Sequence, residues 1–359
     1  MARAVPGAVD HGRVRGHVPR PEAGGFPVRG PDHLLRVHAE RRPGQRSPHP
    51  LPPTRGVRRA GAGLVTLRAA ALRVWLRLLS LLGLSAQRRV GRLVGRAFGC
   101  FDSDSRRVTR INLRLCFPEL DGAARERLVR DSLEHSAMLV TELGTIYHCP
   151  PERWRRWAVG VEGEELLTGA MADDRGVLLL VPHLGNWEFF TLMLGQLGVT
   201  ALYDPPRQPE LEALIVESRA RAGATLLPID AAGLRRFYGA LADGGLGALL
   251  PDQVPRRHAG VYADFFGRPA LTMTFWHRVA RRTGARVLMG AALRRPGGFL
   301  VRIADPGPGL VDPDPAVAAR AMNAVIESWV RRDPAQYQWE YRRYRRPPPG
   351  TPNPYDLAD

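Results

Sequence analysis

The sequence predicts an α/β fold, with a mixed, mainly parallel sheet flanked by helices. From residue 176 onward, short apolar runs alternate with amphipathic stretches, which is the order expected of strand–helix–strand units. Two polar residues come directly after such runs: His183 follows residues 176–182, and Asp252 follows residues 246–251. Ligands of open α/β sheets bind beyond the carboxyl ends of the strands, so both side chains are candidates for a functional site.

The N-terminal hundred residues carry most of the charge. All 52 basic residues are arginine, and the net charge is +17. Residues 1–60 contribute +8, residues 61–100 contribute +7, and residues 101–359 contribute only +2. A basic N-terminal segment that precedes a nearly neutral domain favours binding to an anionic membrane surface. It argues against a nucleic-acid-binding groove on the domain.

Residues 1–60 hold 18 Pro and Gly and show no apolar period. We expect this segment to be disordered, or to lie upstream of the true start codon. It has neither the apolar core nor the cleavage site of a secretory signal.

Residues 64–84 form the first predicted helix, within a basic membrane-anchoring region at 61–100. On a helical wheel Thr66, Arg73, Arg77, Ser80 and Arg88 fall in one narrow arc, and most other positions are apolar. Three arginines are many for a membrane span, so we expect a helix that lies in the interface. A shallow or tilted span and an ordinary packing helix are the alternatives.

The remaining elements follow in order along the chain. Helices are expected within 105–148, and a polar turn separates the segment 112–120 from the helical spacing at 123–147. Strands are then expected at 176–182, 199–203, 225–229, 246–251, 286–295 and 299–304. Helices are expected at about 187–197, 209–222, 231–243, 272–283 and 315–331, with a loop between 251 and 272.

The segment from His183 to Glu188 suggests acid–base chemistry. An imidazole backed by a carboxylate can take a proton from a hydroxyl and stabilise the resulting charge. Residues five apart do not share a helix face, so we expect His183 in the strand-to-helix turn and Glu188 folding back towards it. Gly185 permits an unusual backbone angle, and Asn186 is a candidate N-cap. Because no serine or cysteine lies between His183 and Glu188, the pair favours direct attack by a substrate hydroxyl.

Cys100, Cys116 and Cys149 show neither a metal-binding spacing nor a disulfide framework, which indicates free thiols in a reducing compartment. His258 and His277 lack partners at ligand spacing. We therefore predict no metal and no bound cofactor.

The order of these motifs resembles the bacterial lipid A biosynthesis acyltransferases, the lauroyl/myristoyl transferase family within the H-x4-D/E glycerolipid acyltransferase group. The resemblance covers most of residues 64–355. Besides the basic N-terminal helix, it rests on the segments 112–120 (NLRLCFPEL), 183–188 (HLGNWE), 250–253 (LPDQ), 260–261 (GV), 265–270 (FFGRPA) and 334–344 (PAQYQWEYRRY).

The resemblance implies an acyltransferase domain at 101–346 and a C-terminal tail at 347–359. It implies transfer of a fatty acyl chain from acyl carrier protein to a hydroxyl of an anionic lipid A precursor, at the cytoplasmic face of the inner membrane. His183 would be the general base, and Glu188 would orient it. The expected substrate-binding residues are Gly185, Asn186, Arg207, Asp252, Gln253, Phe266, Gly267 and Arg268.

Candidate oxyanion donors are the backbone N–H groups near Gly185–Trp187, the Gln253 side chain and Arg268. Asn112 and Arg114 are expected to serve helix packing, and Trp339 is expected to anchor the chain end. The arginines at 342, 343, 345 and 346 suggest a solvated charge run, with contact to lipid phosphate as the alternative.

One departure leaves the acceptor open. The family has Tyr-Arg-Pro after the strand that follows the histidine motif, whereas this chain has Asp204 after Tyr203, and Arg207 would have to substitute. Another acceptor lipid (a lysophospholipid, an aminolipid or a glycolipid) therefore stays an alternative. A third interpretation, a non-catalytic membrane-associated protein of this fold, would predict loss of His183 or Glu188, and both are present.

Overall fold

The computed structural model describes residues 62–148, 150, 155–203 and 209–356. Ten helices are described: α1 (Ala62–Ser80), α2 (Leu84–Gly99), α3 (Asp104–Cys116), α4 (Gly122–His148), α5 (Glu164–Ala172), α6 (Trp187–Gly195), α7 (Pro209–Arg221), α8 (Ala231–Ala242), α9 (Phe275–Thr283) and α10 (Pro315–Arg332). The described strands are β1 (Ala158–Glu162), β2 (Val177–Leu180), β3 (Thr200–Tyr203), β4 (Thr225–Pro228), β5 (Leu246–Leu249), β6 (Gly260–Phe265), β7 (Arg268–Met273), β8 (Arg286–Arg295) and β9 (Gly298–Ala304).

Seven of these strands form one sheet in the order β1-β9-β8-β2-β5-β3-β4. The five strands from β8 to β4 run parallel, β9 is antiparallel to β8, and β1 is parallel to β9. β2 lies between β5 and β8, and its four residues are all buried. The predicted mixed, mainly parallel sheet with flanking helices is confirmed.

The prediction of a loop between residues 251 and 272 is wrong in part. It contains a two-stranded antiparallel hairpin, β6–β7, which lies outside the main sheet. The turn at Phe266 and Gly267 has positive φ at both residues, 53° and 67°. The hairpin packs on α10, where Asn323 donates to backbone oxygens of β6. β1, at the sheet edge, was also not predicted.

The N-terminal helix is shorter than expected, since it ends at Ser80 and a second helix follows. Arg88 therefore does not extend the polar arc of the first helix. It lies on α2, where its side chain is buried and bound to Glu142. None of the described helices combines the length and the apolar character that a membrane span requires.

The arginines near the C-terminus form hydrogen bonds with other parts of the chain. Arg343 is buried and donates to Leu271 O and Thr272 Oγ1. Arg346 donates to Pro255 O, and Arg342 bonds Asp104. The prediction of a solvated charge run is wrong for Arg343, which is buried, while Arg345 is exposed and Arg342 and Arg346 are partly exposed. The bonds of Arg342, Arg343 and Arg346 join the chain end to the β6–β7 region and to α3.

The prediction that Asn112 and Trp339 serve packing is confirmed. Buried Asn112 donates to Trp339 O and Tyr341 O and accepts from the Tyr355 hydroxyl. Trp339 is 2% exposed, and its ring meets Phe117 and Phe266 edge-on.

Candidate active site

His183 lies three residues beyond the end of β2, in the turn that leads into α6. Its Nδ1 is 2.8 Å from Asp252 Oδ1, and its backbone N–H donates to Asp252 Oδ2 at 2.9 Å. Because a carboxylate can only accept, Nδ1 carries the proton and Nε2 has the free lone pair. Nε2 is 3.1 Å from the Gln253 side-chain nitrogen, which donates to it.

Asp252 lies beyond the end of β5, the strand that pairs with β2. Its side chain is almost fully buried. Burial favours the protonated form, but the charge that His183 carries as an imidazolium and the hydrogen bonds from this residue outweigh burial and hold the pKa of Asp252 below its usual value. The carboxylate is therefore ionised at neutral pH. Tyr337 lies against it, and burial together with the Asp252 charge raises the pKa of the Tyr337 hydroxyl.

The structure corrects the expected pairing of His183 with Glu188. The Glu188 carboxylate binds Arg219 of α7 through both oxygens, with 2.6 Å from Nη2 to Oε1 and 3.2 Å from Nε to Oε2. Tyr147 lies on the same carboxylate. As the second residue of α6, Glu188 points to the α7 side, and the carboxylate behind the imidazole is that of Asp252.

The turn itself is tightly constrained at Gly185. This residue has φ +71°, and a Cβ at this position would lie 2.1 Å from Ala292 O. Its N–H donates to Gln336 O, and the N–H of Asn186 donates to Ala292 O. Both amides are thus used by the fold, which contradicts an oxyanion role for these two, whereas the expected role of the Trp187 amide stays a prediction.

Asn186 is the N-cap of α6, as predicted. Its Oδ1 accepts from Phe189 N at 2.8 Å, while its Nδ2 donates to the buried carboxylate of Glu142 at 2.7 Å. Glu142 also binds Arg88 and Arg294, and Arg294 Nη1 donates to Gly185 O. The roles of Gly185 and Asn186 seen here are structural: they fix the turn that presents His183.

The remaining sequence-predicted residues are not brought together at His183. Phe266 packs among Phe117, Phe265 and Trp339, with the Arg331 guanidinium 4.6 Å from its ring centroid. Arg268 is exposed and donates to Leu115 O, at the base of α3. Gly267 is exposed in the hairpin turn. Arg207, with Asp204, lies outside the described residues.

Two contacts of the site were not predicted. Arg219 is the partner of Glu188, and the Trp187 ring meets the His183 ring at 4.9 Å between centroids, at an angle of 64°. Among the described residues, no cluster of three or more His, Cys, Asp or Glu side chains has metal-binding geometry.

The sequence model of bacterial lipid A biosynthesis acyltransferases matches residues 64–346. The chain belongs to this family. It is accordingly an acyltransferase, and the family resemblance drawn from the motifs is confirmed.

Individual relatives agree with the family. The chain is 30% identical over 258 residues to the lipid A biosynthesis lauroyltransferase of Escherichia coli K12, covering 69% of this chain and 82% of the relative. It is 29% identical over 252 residues to the palmitoleoyltransferase of the same strain, covering 69% and 81%. A lipid A biosynthesis acyltransferase of Haemophilus influenzae is 28% identical over 278 residues, covering 75% and 88%.

Proposed function

We propose that this acyltransferase moves a fatty acyl chain from acyl carrier protein to a hydroxyl of a lipid A precursor, with His183 as general base. The observation that carries the proposal is the hydrogen-bonded series Asp252–His183–Gln253 at the carboxyl ends of β2 and β5. In this series Nε2 of His183 is the basic nitrogen, and it faces the side-chain amide of Gln253. Both groups lie beyond the carboxyl ends of the strands, where ligands of α/β folds bind.

The chemistry follows from the protonation state of the imidazole. Nε2 takes the proton of the acceptor hydroxyl while the hydroxyl oxygen attacks the thioester carbonyl. The tetrahedral intermediate collapses, the C–S bond breaks, and the thiolate takes the proton from Nε2 of the imidazolium. Asp252 stays ionised throughout, holds the ring orientation and stabilises the imidazolium. No covalent acyl-enzyme is needed.

The side-chain amide of Gln253 occupies the position expected for the acceptor hydroxyl. Its amide nitrogen is 3.1 Å from Nε2, the distance at which a substrate hydroxyl would have to donate. The acceptor hydroxyl therefore replaces this contact, and the released amide becomes a donor next to the reacting carbonyl. With the Gly185 and Asn186 amides already used, Gln253 is our candidate for stabilising the oxyanion.

Exposed arginines next to Gln253 support an acidic protein donor. Arg256 and Arg257 are exposed on the segment that follows Gln253, and Arg345 and Arg346 bind backbone oxygens of the same segment. The nearly neutral domain thus presents a local basic surface beside the reactive nitrogen. Such a surface suits acyl carrier protein, which is acidic, and would steer it to the site.

The two N-terminal helices support association with a membrane. Large apolar side chains are exposed along both helices and just after α2: Val74, Trp75, Leu78, Leu81, Leu82, Leu93, Val94, Phe98 and Phe101. We call these residues the apolar face. The concentration of these exposed side chains within residues 74–101 supports an interaction site there.

Arginines lie next to the apolar face. Arg73 and Arg77 of α1, with Arg221 of α7, line a cavity of about 370 Å³. Apolar contact together with guanidinium groups at headgroup depth is the arrangement of an interfacial helix. We place the enzyme at the cytoplasmic face of the inner membrane, where acyl carrier protein and reduced thiols such as Cys100 and Cys116 are expected.

The experiment offers radiolabelled acyl-acyl carrier protein with a Kdo-bearing lipid A precursor or with a lysophospholipid, separately, to the wild-type protein and to His183→Ala. We expect product on the lipid A precursor alone, lost in the variant. Product on the lysophospholipid alone would keep the mechanism but contradict the acceptor. Equal product from His183→Ala would contradict the general base.

A further inference from the structure

A cavity lies between α1, the end of α4 and α7, beside the apolar face. Its volume is about 370 Å³, within the range of about 300–1,000 Å³ that is usual for small-molecule sites. Helix α1 contributes Arg73, Val74 and Arg77 to its wall, and α4 and α7 contribute the rest of the described lining. We call it the α1–α7 cavity.

The wall of the α1–α7 cavity is positively charged. Its described lining residues carry the guanidinium groups of Arg73, Arg77 and Arg221 and the single carboxylate of Glu217. Burial lowers the pKa of the fifth titratable group, the His148 imidazole, so this ring adds no charge at neutral pH. The cavity therefore favours an anionic occupant.

Two of the arginines are placed to contact such an occupant. Arg73 and Arg77 are four positions apart on α1, so they share one face of the helix. Arg73 lies 3.5 Å from Glu217, but both side chains are more than half exposed, and such a pair contributes little and can be exchanged for another anion. Arg77 makes no ion pair or side-chain hydrogen bond with the described residues. Arg221 is held at the end of α4, where it donates to Tyr147 O at 2.6 Å.

A buried hydroxyl group in the wall also indicates a polar occupant. Ser218 of α7 lines the cavity and is 3% exposed. Its Oγ has no hydrogen-bond partner among the described residues. Buried hydroxyl groups are nearly always bonded, so this observation supports a polar group in the cavity independently of the arginines.

The rim of the cavity is apolar on the α1 side. Val74, between the two arginines in sequence, and Leu78, directly after Arg77, are each 58% exposed. Both belong to the apolar face. An anionic group that enters the cavity therefore has a place for alkyl chains next to it. A membrane phospholipid has this combination, and its phosphate matches the planar donor fork of arginine.

The inner wall of the cavity meets the candidate site at Glu188 and Arg219 rather than at Nε2 of His183. Tyr147 lies on the Glu188 carboxylate, and Ser218 directly precedes Arg219, which binds that carboxylate through both oxygens. The acceptor hydroxyl, in contrast, must reach the side of the imidazole that faces Gln253. This position favours a lipid other than the acceptor.

We propose that the α1–α7 cavity binds the phosphate of one anionic phospholipid molecule of the membrane, distinct from the acceptor, with Arg73 and Arg77 as its contacts. The inference rests on the proposed function only in placing α1 at a membrane. Because the walls come from α1, α4 and α7, the bound lipid would join the membrane-facing helix to the helix that holds Glu188.

The test is a calorimetric titration of the full chain with dihexanoyl phosphatidylglycerol below its micellar concentration. We expect one molecule to bind per chain, and Arg77→Gln to weaken this binding about tenfold, the effect of removing a charged donor. Arg89→Gln is the matched control, because Arg89 is exposed on α2 and its replacement removes the same charge. It should leave the binding unchanged. Dihexanoyl phosphatidylcholine and glycerol 3-phosphate should each bind at least about tenfold more weakly than phosphatidylglycerol, since one lacks the net charge and the other lacks the chains.

Three results would overturn the inference. Equal binding by wild type and Arg77→Gln would exclude the cavity, and glycerol 3-phosphate binding as tightly as the lipid would make it a site for a soluble phosphate. A higher KM of Arg77→Gln for the Kdo-bearing precursor, measured without phospholipid, would assign the cavity to the acceptor. The titrations contain no acyl donor. Absence of acyl transfer would therefore reject the proposed reaction while the lipid binding is still measured, and lost lipid binding with transfer intact would reject this inference alone.

Discussion

At the residue scale, the proposed chemistry depends on the tautomer of the His183 imidazole. Asp252 receives two hydrogen bonds from His183, one from the ring and one from the backbone. The ring contact selects which nitrogen is basic, and the backbone contact fixes where the residue sits. Glu188 makes an equally specific contact with Arg219, which joins α6 to α7 close to the site. The two carboxylates therefore have different partners: Asp252 contacts the imidazole that we propose as the base, and Glu188 joins the helices beside it.

His135 gives the first prediction, which concerns stability rather than activity. Its pKa is lowered from an ordinary 6.5 to about 3, so the unfolded chain binds a proton at this residue more readily than the folded one. Protonation of His135 should therefore leave the free energy of unfolding unchanged above pH 6.5 and lower it as the pH drops towards 3. In His135→Asn this fall should be smaller. Urea unfolding at pH 7.5, 6 and 5 measures it, and an identical pH dependence in both proteins would contradict the assignment.

At the scale of elements, the contact between α2 and α4 depends on glycine. A Cβ on Gly95 would lie 2.5 Å from Glu134 Cα, and one on Gly91 would lie 2.7 Å from Met138 Cα. The close approach brings Arg88 of α2 to Glu142 of α4, and Glu142 in turn holds Asn186. The N-terminal helices are thus linked to the His183 turn by a buried ionic network, in which every charge needs its partner.

Gly95→Ala should lower the free energy of unfolding by about 1–3 kcal/mol, the usual cost of forcing a group into a filled interface. The matched control is Gly169→Ala in α5, where a Cβ would meet nothing within 4 Å. That substitution should be neutral or stabilising by about 0.5–1 kcal/mol. Chemical denaturation of both variants measures the difference. Equal stability would mean that α2 and α4 do not pack as closely as described.

Most elements could be predicted because local patterns determine them. The apolar runs at β2 and β5 and the amphipathic stretches at α8 and α10 gave bounds within a few residues of those seen. The β6–β7 hairpin was missed because its turn is Phe266–Gly267, where a non-glycine residue adopts positive φ, and local turn rules do not anticipate it.

The pairing at the site could be predicted only in part. Glu188 follows His183 by five positions, and sequence proximity suggested a contact. Asp252 is 69 positions away and reaches His183 because β2 and β5 are neighbours in the sheet. The sequence marks His183 and Asp252 as strand-end residues, but the pairing of their two strands is visible only in the sheet. Arg219 gave no such signal, since it is one arginine among many on an amphipathic helix.

At the scale of the whole molecule, Nε2 of His183, which we propose as the base, lies at the carboxyl ends of the parallel strands, and the apolar face lies on the N-terminal helices. Helix α4 contacts both regions, through α1 and α2 on one side and α6 on the other. This arrangement suits an acceptor that is anchored in a membrane while its headgroup reaches Nε2. The donor can approach from the arginine-lined segment after Gln253.

Leu78→Glu and Phe98→Glu each place a charge on the apolar face and should weaken binding of the full chain to vesicles of phosphatidylethanolamine and phosphatidylglycerol about tenfold or more. Vesicle flotation measures the bound fraction. Val311→Glu is the matched control, because Val311 is equally exposed but lies near the amino end of β8. Binding that is equal in all three variants would exclude the apolar face as the membrane contact.

The measurement that tests the central claim most directly is the kcat of Asp252→Asn on the lipid A precursor, with Glu188→Gln measured beside it. An asparagine cannot hold the imidazolium or reliably select the Nδ1–H tautomer, so kcat should fall about 10²–10⁴-fold while the fold is kept. Glu188→Gln should act mainly on stability, by leaving Arg219 without its charge partner. A kcat for Asp252→Asn near that of wild type, with a large loss of kcat in a fully folded Glu188→Gln, would contradict the His183–Asp252 pair and restore Glu188 as the partner of the base.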